Sequence, residues 1–188
     1  MSSMFYGKIH ENPIIAAITD IAKVKDAVES PCEIVFLLTG SIFNIKDAVR
    51  ALKEKGKMVF IHLDLLEGIS KDQIAIEYIH KEINPDGIIT TKSNLVKAAR
   101  DMGLFTIQRF FLVDSISVES GIKTVQNSKP DAVEIMPGIM HRITAKICSE
   151  LKIPVITGGF INGKEDVIAC LNSGAMGIST SNEDIWYM

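Results

Sequence analysis

Apolar and polar positions along the chain fall into one recurring unit. A short run rich in Ile, Val and Leu gives way to a polar turn. Apolar residues at helical spacing follow, and then Gly, Pro or Asn. The unit repeats about every 20 to 25 residues. Eight short runs read as strands: Ile14–Ile18, Ile34–Thr39, Met58–Asp64, Gly87–Thr90, Phe105–Phe111, Ala132–Met136, Val155–Thr157 and Gly177–Thr180. The intervening periodicity predicts helices over Ile45–Lys55, Lys71–Ile83, Asn94–Met102, Val118–Asn127, Ile139–Leu151 and Lys164–Ser173, with a weaker one over Ile21–Val28.

The punctuation agrees with this reading. Gly56, Gly103 and Gly174 stand where helices should stop in left-handed caps. Ser70 and Asn162 are placed to cap the helices that follow them. Pro130 and Pro154 precede strands six and seven. Alternating strands and helices imply parallel pairing through right-handed crossovers. Eight units can close into a small (β/α)8 barrel of the TIM type, one domain over residues 1–188, with its last helix truncated to the few residues after strand eight. An open doubly wound sheet is the alternative; the unit count favours closure.

Composition narrows the classes. Hydrophobic residues make up 47% and aromatics 6%, an aliphatic balance suited to a helix-covered parallel sheet. No apolar run reaches membrane-spanning length, and MSSMFYGKIHENP has no apolar core of signal-peptide length, so a cytoplasmic location is expected. Cys32, Cys148 and Cys170 are scattered without ligand spacing, which predicts packing thiols, no disulfide framework and no bound metal. A net charge of −3 argues against a strongly basic nucleic-acid protein but allows a local basic stripe.

Candidate chemistry gathers at the strand ends. "PVITGGFING" puts Gly158 and Gly159 after strand seven, and "GISTSN" puts Ser179, Thr180 and Ser181 at strand eight. In a barrel these positions suit a phosphate cradle of backbone amides and hydroxyls. A tight turn needing positive φ is the plainer reading of two glycines. Glu134 and Gln108 lie mid-strand, either to meet ligand hydroxyls or to form a polar core layer, with Arg109 or Lys92 supplying charge. Asp64 ends strand three and with Glu134 could form an acid/base pair or, as the lesser alternative, hold Mg²⁺. His62 reads as a core histidine and Trp186 as a packing plug near the barrel rim. Lys46, Arg50 and Lys53 share one face of the second main helix, as a solvated face or a phosphate-backbone stripe. Arg142, Lys146 and Lys152 form a thinner patch. There is no P-loop and no GxGxxG fingerprint. These patterns alone describe a barrel that binds a phosphate compound.

The ordered runs "ENPIIAAI", "FLLTGSI", "FIHLDLLEGI", "PDGIITTK", "IQRFFLVDS", "DAVEIMPGI", "PVITGGFI" and "GAMGISTS" closely resemble the glycerol-3-phosphate-responsive antiterminator family. The resemblance covers nearly the whole chain. It implies a small TIM-type barrel that is not an enzyme and uses no cofactor. The family is understood to bind glycerol 3-phosphate and then leader mRNA of glycerol-utilisation operons, preventing premature transcription termination. Carried over by motif, Gly158, Gly159, Ser179, Thr180 and Ser181 would hold the phosphate. Asp64, Lys92, Gln108, Arg109 and Glu134 would line the pocket, with Glu134 or Gln108 meeting the glycerol hydroxyls. The resemblance does not assign the RNA surface; Lys46, Arg50 and Lys53 are the residues' own suggestion. A homo-oligomer remains compatible with it. The competing expectation is a small barrel enzyme acting on a phosphorylated three-carbon or sugar substrate through Asp64 and Glu134.

Overall fold

A computed structural model describes residues 2–188. Eight parallel strands close into a barrel in sequence order. The strands are β1 (Ile14–Ile18), β2 (Ile34–Leu37), β3 (Met58–His62), β4 (Gly87–Thr90), β5 (Phe105–Phe111), β6 (Ala132–Met136), β7 (Val155–Gly158) and β8 (Gly177–Thr180). The helices are α1 (Ser2–Glu11), α2 (Val24–Glu29), α3 (Ile45–Glu54), α4 (Gln73–Tyr78), α5 (Ser93–Asp101), α6 (Ser115–Ser128), α7 (His141–Glu150), α8 (Lys164–Asn172) and α9 (Glu183–Trp186). Helix α4 continues through a π-helical turn, Ile79–Ile83, to left-handed Asn84. The β2 and β3 runs stop earlier than their apolar pattern suggests: Leu63–Leu65 turns into a 3₁₀ helix that carries Asp64 off the sheet.

Because side chains alternate along a strand, two apolar layers form. Ile15, Phe36, Met58, Phe60, Ile107 and Ile156 fill the barrel interior. Ala16, Val35, Val59, Ile88 and Ile178 face outward under the helices. In the upper interior the inward rows of β5, β6 and β8 carry the polar residues Arg109, Glu134 and Ser179.

Helix α1 is not legible from the pattern. Only Phe5 and Ile9, one turn apart, are apolar anchors in a polar segment, and both are buried. Phe5 closes the barrel floor, its ring 4.6 Å from Phe105 and 5.8 Å from Phe60. The predicted caps Gly56, Gly103 and Gly174 do take positive φ. Two other caps differ. Asp72, not Ser70, caps α4 by accepting from Ala75 N at 2.9 Å. Helix α8 starts at Gly163, where Asp166 reaches back to the amides of Asn162 and Gly163, so Asn162 does not cap it. Trp186 lies in the sheet–helix layer, not at the rim, and its Nε1 donates to the Thr180 carbonyl at 2.8 Å. The cysteines are free thiols; Cys32 is buried, and burial pushes its pKa up to about 11.

Candidate functional site

Arg109 and Glu134 are register partners on β5 and β6. Odd-numbered residues of β5 and even-numbered residues of β6 face inward, so both side chains meet inside the barrel. Arg109 Nε donates to Glu134 Oε2 at 2.7 Å, and Ser179 Oγ donates to Glu134 Oε1 at 2.5 Å. Glu134 is 0% exposed and Arg109 5%. One nitrogen of the guanidinium, Nη2, has no hydrogen-bond partner although it is buried. A buried cation with an unused donor is a ready anion or hydroxyl ligand.

Above this network lies a cavity of about 390 Å³. Arg109, Gly159, Phe160, Ser179, Thr180, Ser181 and Asn182 line it, with Ala17, Thr19 and Leu38 on the β1–β2 side and Met136 from β6. Gly159 and Phe160 both have positive φ, +80° and 59°. Among the described residues, the amides of Gly159, Phe160 and Ser181 donate to no protein acceptor. Gly158 has a different role: a Cβ there would collide with Ser179 Oγ and come within 3.2 Å of Glu134 Oε1. Its missing side chain lets the Ser179–Glu134 bond form. Thr180 Oγ1 accepts from the Asn182 amide at 3.1 Å and shapes the turn after β8.

On the β3–β4 side of the mouth, Asp64 accepts from Thr90 Oγ1 (2.9 Å), Thr91 N (2.7 Å) and Thr91 Oγ1 (2.9 Å). Burial pushes the Asp64 carboxyl up, but these donors and His62 outweigh it and hold the pKa below the usual value. Asp64 and Glu134 therefore serve different strands and share no partner. His62 is buried, and its Nδ1 lacks a partner. Burial, with the Arg109 charge adding, pushes its pKa down to about 4, so the imidazole is neutral near pH 7. Lys92 is exposed at the start of α5. Lys71, which no sequence signal singles out, donates to the Leu66 carbonyl and sits within the fields of Asp64 and Lys92. Burial holds its ammonium below the ordinary pKa; Asp64 opposes this and Lys92 adds to it.

Asp64 and Lys92, expected to line the pocket, are not among the residues around this cavity, because they belong to the β3–β4 side of the mouth, and two further placements differ. Gln108 has the opposite strand parity to Arg109 and points out of the barrel, where its Nε2 donates to Ser93 Oγ at 3.1 Å and its Oε1 accepts from Ser128 Oγ. It ties α5 and α6 to the sheet and does not line the cavity. The basic face of α3 is not a free stripe. Lys46 pairs with Glu82 at 3.4 Å, Arg50 with Asp47 at 2.8 Å and Lys53 with Asp86 at 3.4 Å. Two of the three neutralising carboxylates lie beyond α3 in the chain, so helical spacing alone does not reveal them. Conversely, Thr19, Met136, Phe160 and Asn182 reach the cavity only because the barrel closes.

The chain matches the glycerol-3-phosphate responsive antiterminator family over residues 14–186. It is 39% identical over 178 residues to the uncharacterised Escherichia coli K12 protein YgcP, covering 95% of this chain and 93% of that one. The crystal structure of the glycerol uptake operon antiterminator regulatory protein of Listeria monocytogenes superposes with a TM-score of 0.89 at 34% identity, over 93% of this chain and 95% of the other. A glycerol uptake operon antiterminator-related protein of Thermotoga maritima gives 0.83 at 32% identity, over 93% and 98%. With its closed eight-stranded barrel and whole-length likeness to these regulators, the chain belongs to the glycerol-3-phosphate responsive antiterminator family.

Proposed function

We propose that the protein binds glycerol 3-phosphate in the β7–β8 cavity and, once loaded, binds leader mRNA of glycerol-utilisation operons to prevent premature termination. The observation that carries this reading is the buried Arg109 with its unpartnered nitrogen beside a turn of unengaged amides. The phosphate sits against the amides of Gly159, Phe160 and Ser181, with the Ser181 hydroxyl beside it. Arg109 supplies the cationic charge in a site of low effective dielectric. Glu134, already bound to Arg109 and Ser179, has one lone pair left on each oxygen for a glycerol hydroxyl.

The reading is of a regulator and not an enzyme. Glu134 is locked in a two-sided network, and Asp64 is bonded to Thr90 and Thr91 on another part of the mouth. That arrangement favours recognition over proton transfer. Ligand binding shifts the population toward the RNA-competent form by its differential affinity for that form. The test is RNA binding with and without ligand. Leader transcript should be retained only when glycerol 3-phosphate is present. RNA affinity independent of ligand across a range of salt concentrations would defeat the reading.

A further inference from the structure

In a closed barrel of this kind, residues at one height advance by one position per strand against the hydrogen-bond register, so each interior layer draws on alternate strands. The register here puts Ile15, Phe60, Ile107 and Ile156 in one layer, from β1, β3, β5 and β7. Side chains alternate along a strand. The next inward positions of the same four strands are therefore Ala17, His62, Arg109 and Gly158. Ala17 and Arg109 line the cavity. Ala17 and Gly158 are small and leave the middle of this layer open, and His62 and Arg109 supply its polar atoms. His62 stands across the barrel from Gly158, the residue that leads into the turn of unengaged amides.

Both polar members of the layer are incomplete. Arg109 Nη2 and His62 Nδ1 are each buried without a hydrogen-bond partner. His62 is 3% exposed. An inward side chain meets water only through the mouth, so that remnant opens toward the cavity's end of the barrel. Buried polar atoms in folded proteins are paired, and an orphan on such a layer marks a missing partner. Packing alone does not call for histidine here: Met58 and Phe60, the inward residues below it on β3, are apolar. Nor does charge. Burial, and then Arg109, push the His62 pKa down to about 4, so the imidazole is neutral near pH 7 and is no cation for a phosphate. A neutral imidazole offers one donor and one acceptor. A hydroxyl does both and pairs with it in either tautomer.

We infer that His62 is a specificity-determining contact of the same site, taking the terminal hydroxyl of the ligand at the end remote from the phosphate. This rests on the function proposed above and adds a residue to it. A phosphate on the Gly159 and Phe160 amides directs the carbon chain across the gap left by Ala17 and Gly158, past Arg109 and toward β3. His62 meets its end there. The class selected is an acyclic three-carbon phosphate that ends in an alcohol. A methyl in place of that alcohol leaves the imidazole unpaired, and an unpaired buried polar group weighs against binding.

The test is calorimetry on the full chain with three compounds. Glycerol 3-phosphate is compared with 2-hydroxypropyl phosphate, which lacks the terminal hydroxyl, and 3-hydroxypropyl phosphate, which lacks the central one. The wild type should bind 2-hydroxypropyl phosphate roughly tenfold or more weaker than glycerol 3-phosphate. His62→Leu should lose about that factor for glycerol 3-phosphate and none for 2-hydroxypropyl phosphate. The penalty for removing the central hydroxyl should be the same in both proteins. His62→Asn, smaller but polar, is run alongside and should keep part of the terminal discrimination. Unliganded His62→Leu should melt no lower than the wild type, because the change removes a buried orphan. Variants that lose one common factor for all three phosphates would make His62 structural and overturn the inference. So would a wild type that binds 2-hydroxypropyl phosphate as tightly as glycerol 3-phosphate. A wild type that binds no glycerol 3-phosphate would overturn the proposed function, and His62's role with it.

Discussion

Arg109 and Glu134 stand side by side in register on β5 and β6, joined by a 2.7 Å hydrogen bond and buried beneath the cavity. Removing one partner of a buried ion pair leaves an uncompensated charge or donor, at a cost of about 3–5 kcal/mol. Glu134→Gln should therefore lower the melting temperature by roughly 10 °C for a chain of this size. Arg109→Met with Glu134→Leu removes both charges and should be more stable than Glu134→Gln. The double variant should bind no glycerol 3-phosphate. Thermal denaturation and calorimetry on the two variants separate the pair's structural role from its role in the site.

The glycines at the end of β7 act by different means, so their substitutions should fail differently. Gly158→Ala drives a methyl into the Ser179–Glu134 bond and should abolish ligand binding. Gly103 has nearly the φ of Gly159, +81° against +80°, but open space around it. Gly103→Ala should lose about 1 kcal/mol of stability from left-handed strain alone, with ligand affinity intact. Gly159→Ala should show the same strain together with weaker binding, because its Cβ would also press on Met136 Cε at 3.0 Å. Parallel urea titrations and calorimetry read both effects.

His62 makes stability depend on pH in a predictable direction. Its folded pKa, about 4, lies below the ordinary value of 6.5. Between those limits the unfolded chain binds a proton that the folded chain refuses. Stability therefore falls as pH drops from 6.5 toward 4, by at most about 1.4 kcal/mol per pH unit from this one group. Asp64 acts in a lower window. Its depressed folded pKa gives stability that is present above the ordinary carboxylate pKa and lost as pH falls below 3.8 through the folded value. His62→Asn should flatten the slope between pH 6.5 and 4 and leave the more acidic loss in place. Urea midpoints measured across pH check both.

Helix α1 should be part of the fold and not an appendage. Phe5 is fully buried against Phe60 and Phe105. Phe5→Ala should cost about 3–5 kcal/mol, seen as a lowered denaturation midpoint. Glycerol 3-phosphate affinity of the folded protein should be preserved, because the cavity opens at the other end of the barrel.

How much of this was legible in the chain varies with the range of the interaction that decides it. The boundaries of β1, β4, β5, β6 and β8 follow from local apolar runs bounded by Gly, Pro or polar turns, and the structure keeps them as read. Helix α1 escapes the pattern because its periodic signal is only Phe5 and Ile9; the barrel floor that rewards them is assembled from distant strands. Strand period makes Gln108 and Arg109 mutually exclusive as pocket residues; only the closed barrel says which of them points in. The α3 stripe looks free in the sequence because Glu82 and Asp86 meet it only through the fold. The pairing of Arg109 with Glu134 depends on β5–β6 register, which no local pattern carries. The aromatic content of 6% does not show that Phe43, Phe111 and Phe160 stay exposed at the end of the barrel where the cavity opens.

We propose a glycerol 3-phosphate site in the β7–β8 cavity, with Arg109 beneath it. Its most direct measurement is calorimetric titration of the wild-type protein with glycerol 3-phosphate, with glycerol and inorganic phosphate as controls, repeated on the Arg109→Met, Glu134→Leu variant. Saturable binding of glycerol 3-phosphate by the wild type, much weaker heats with either fragment and none in the variant would bear the account out. No binding by the wild type, or equal binding by the variant, would contradict it.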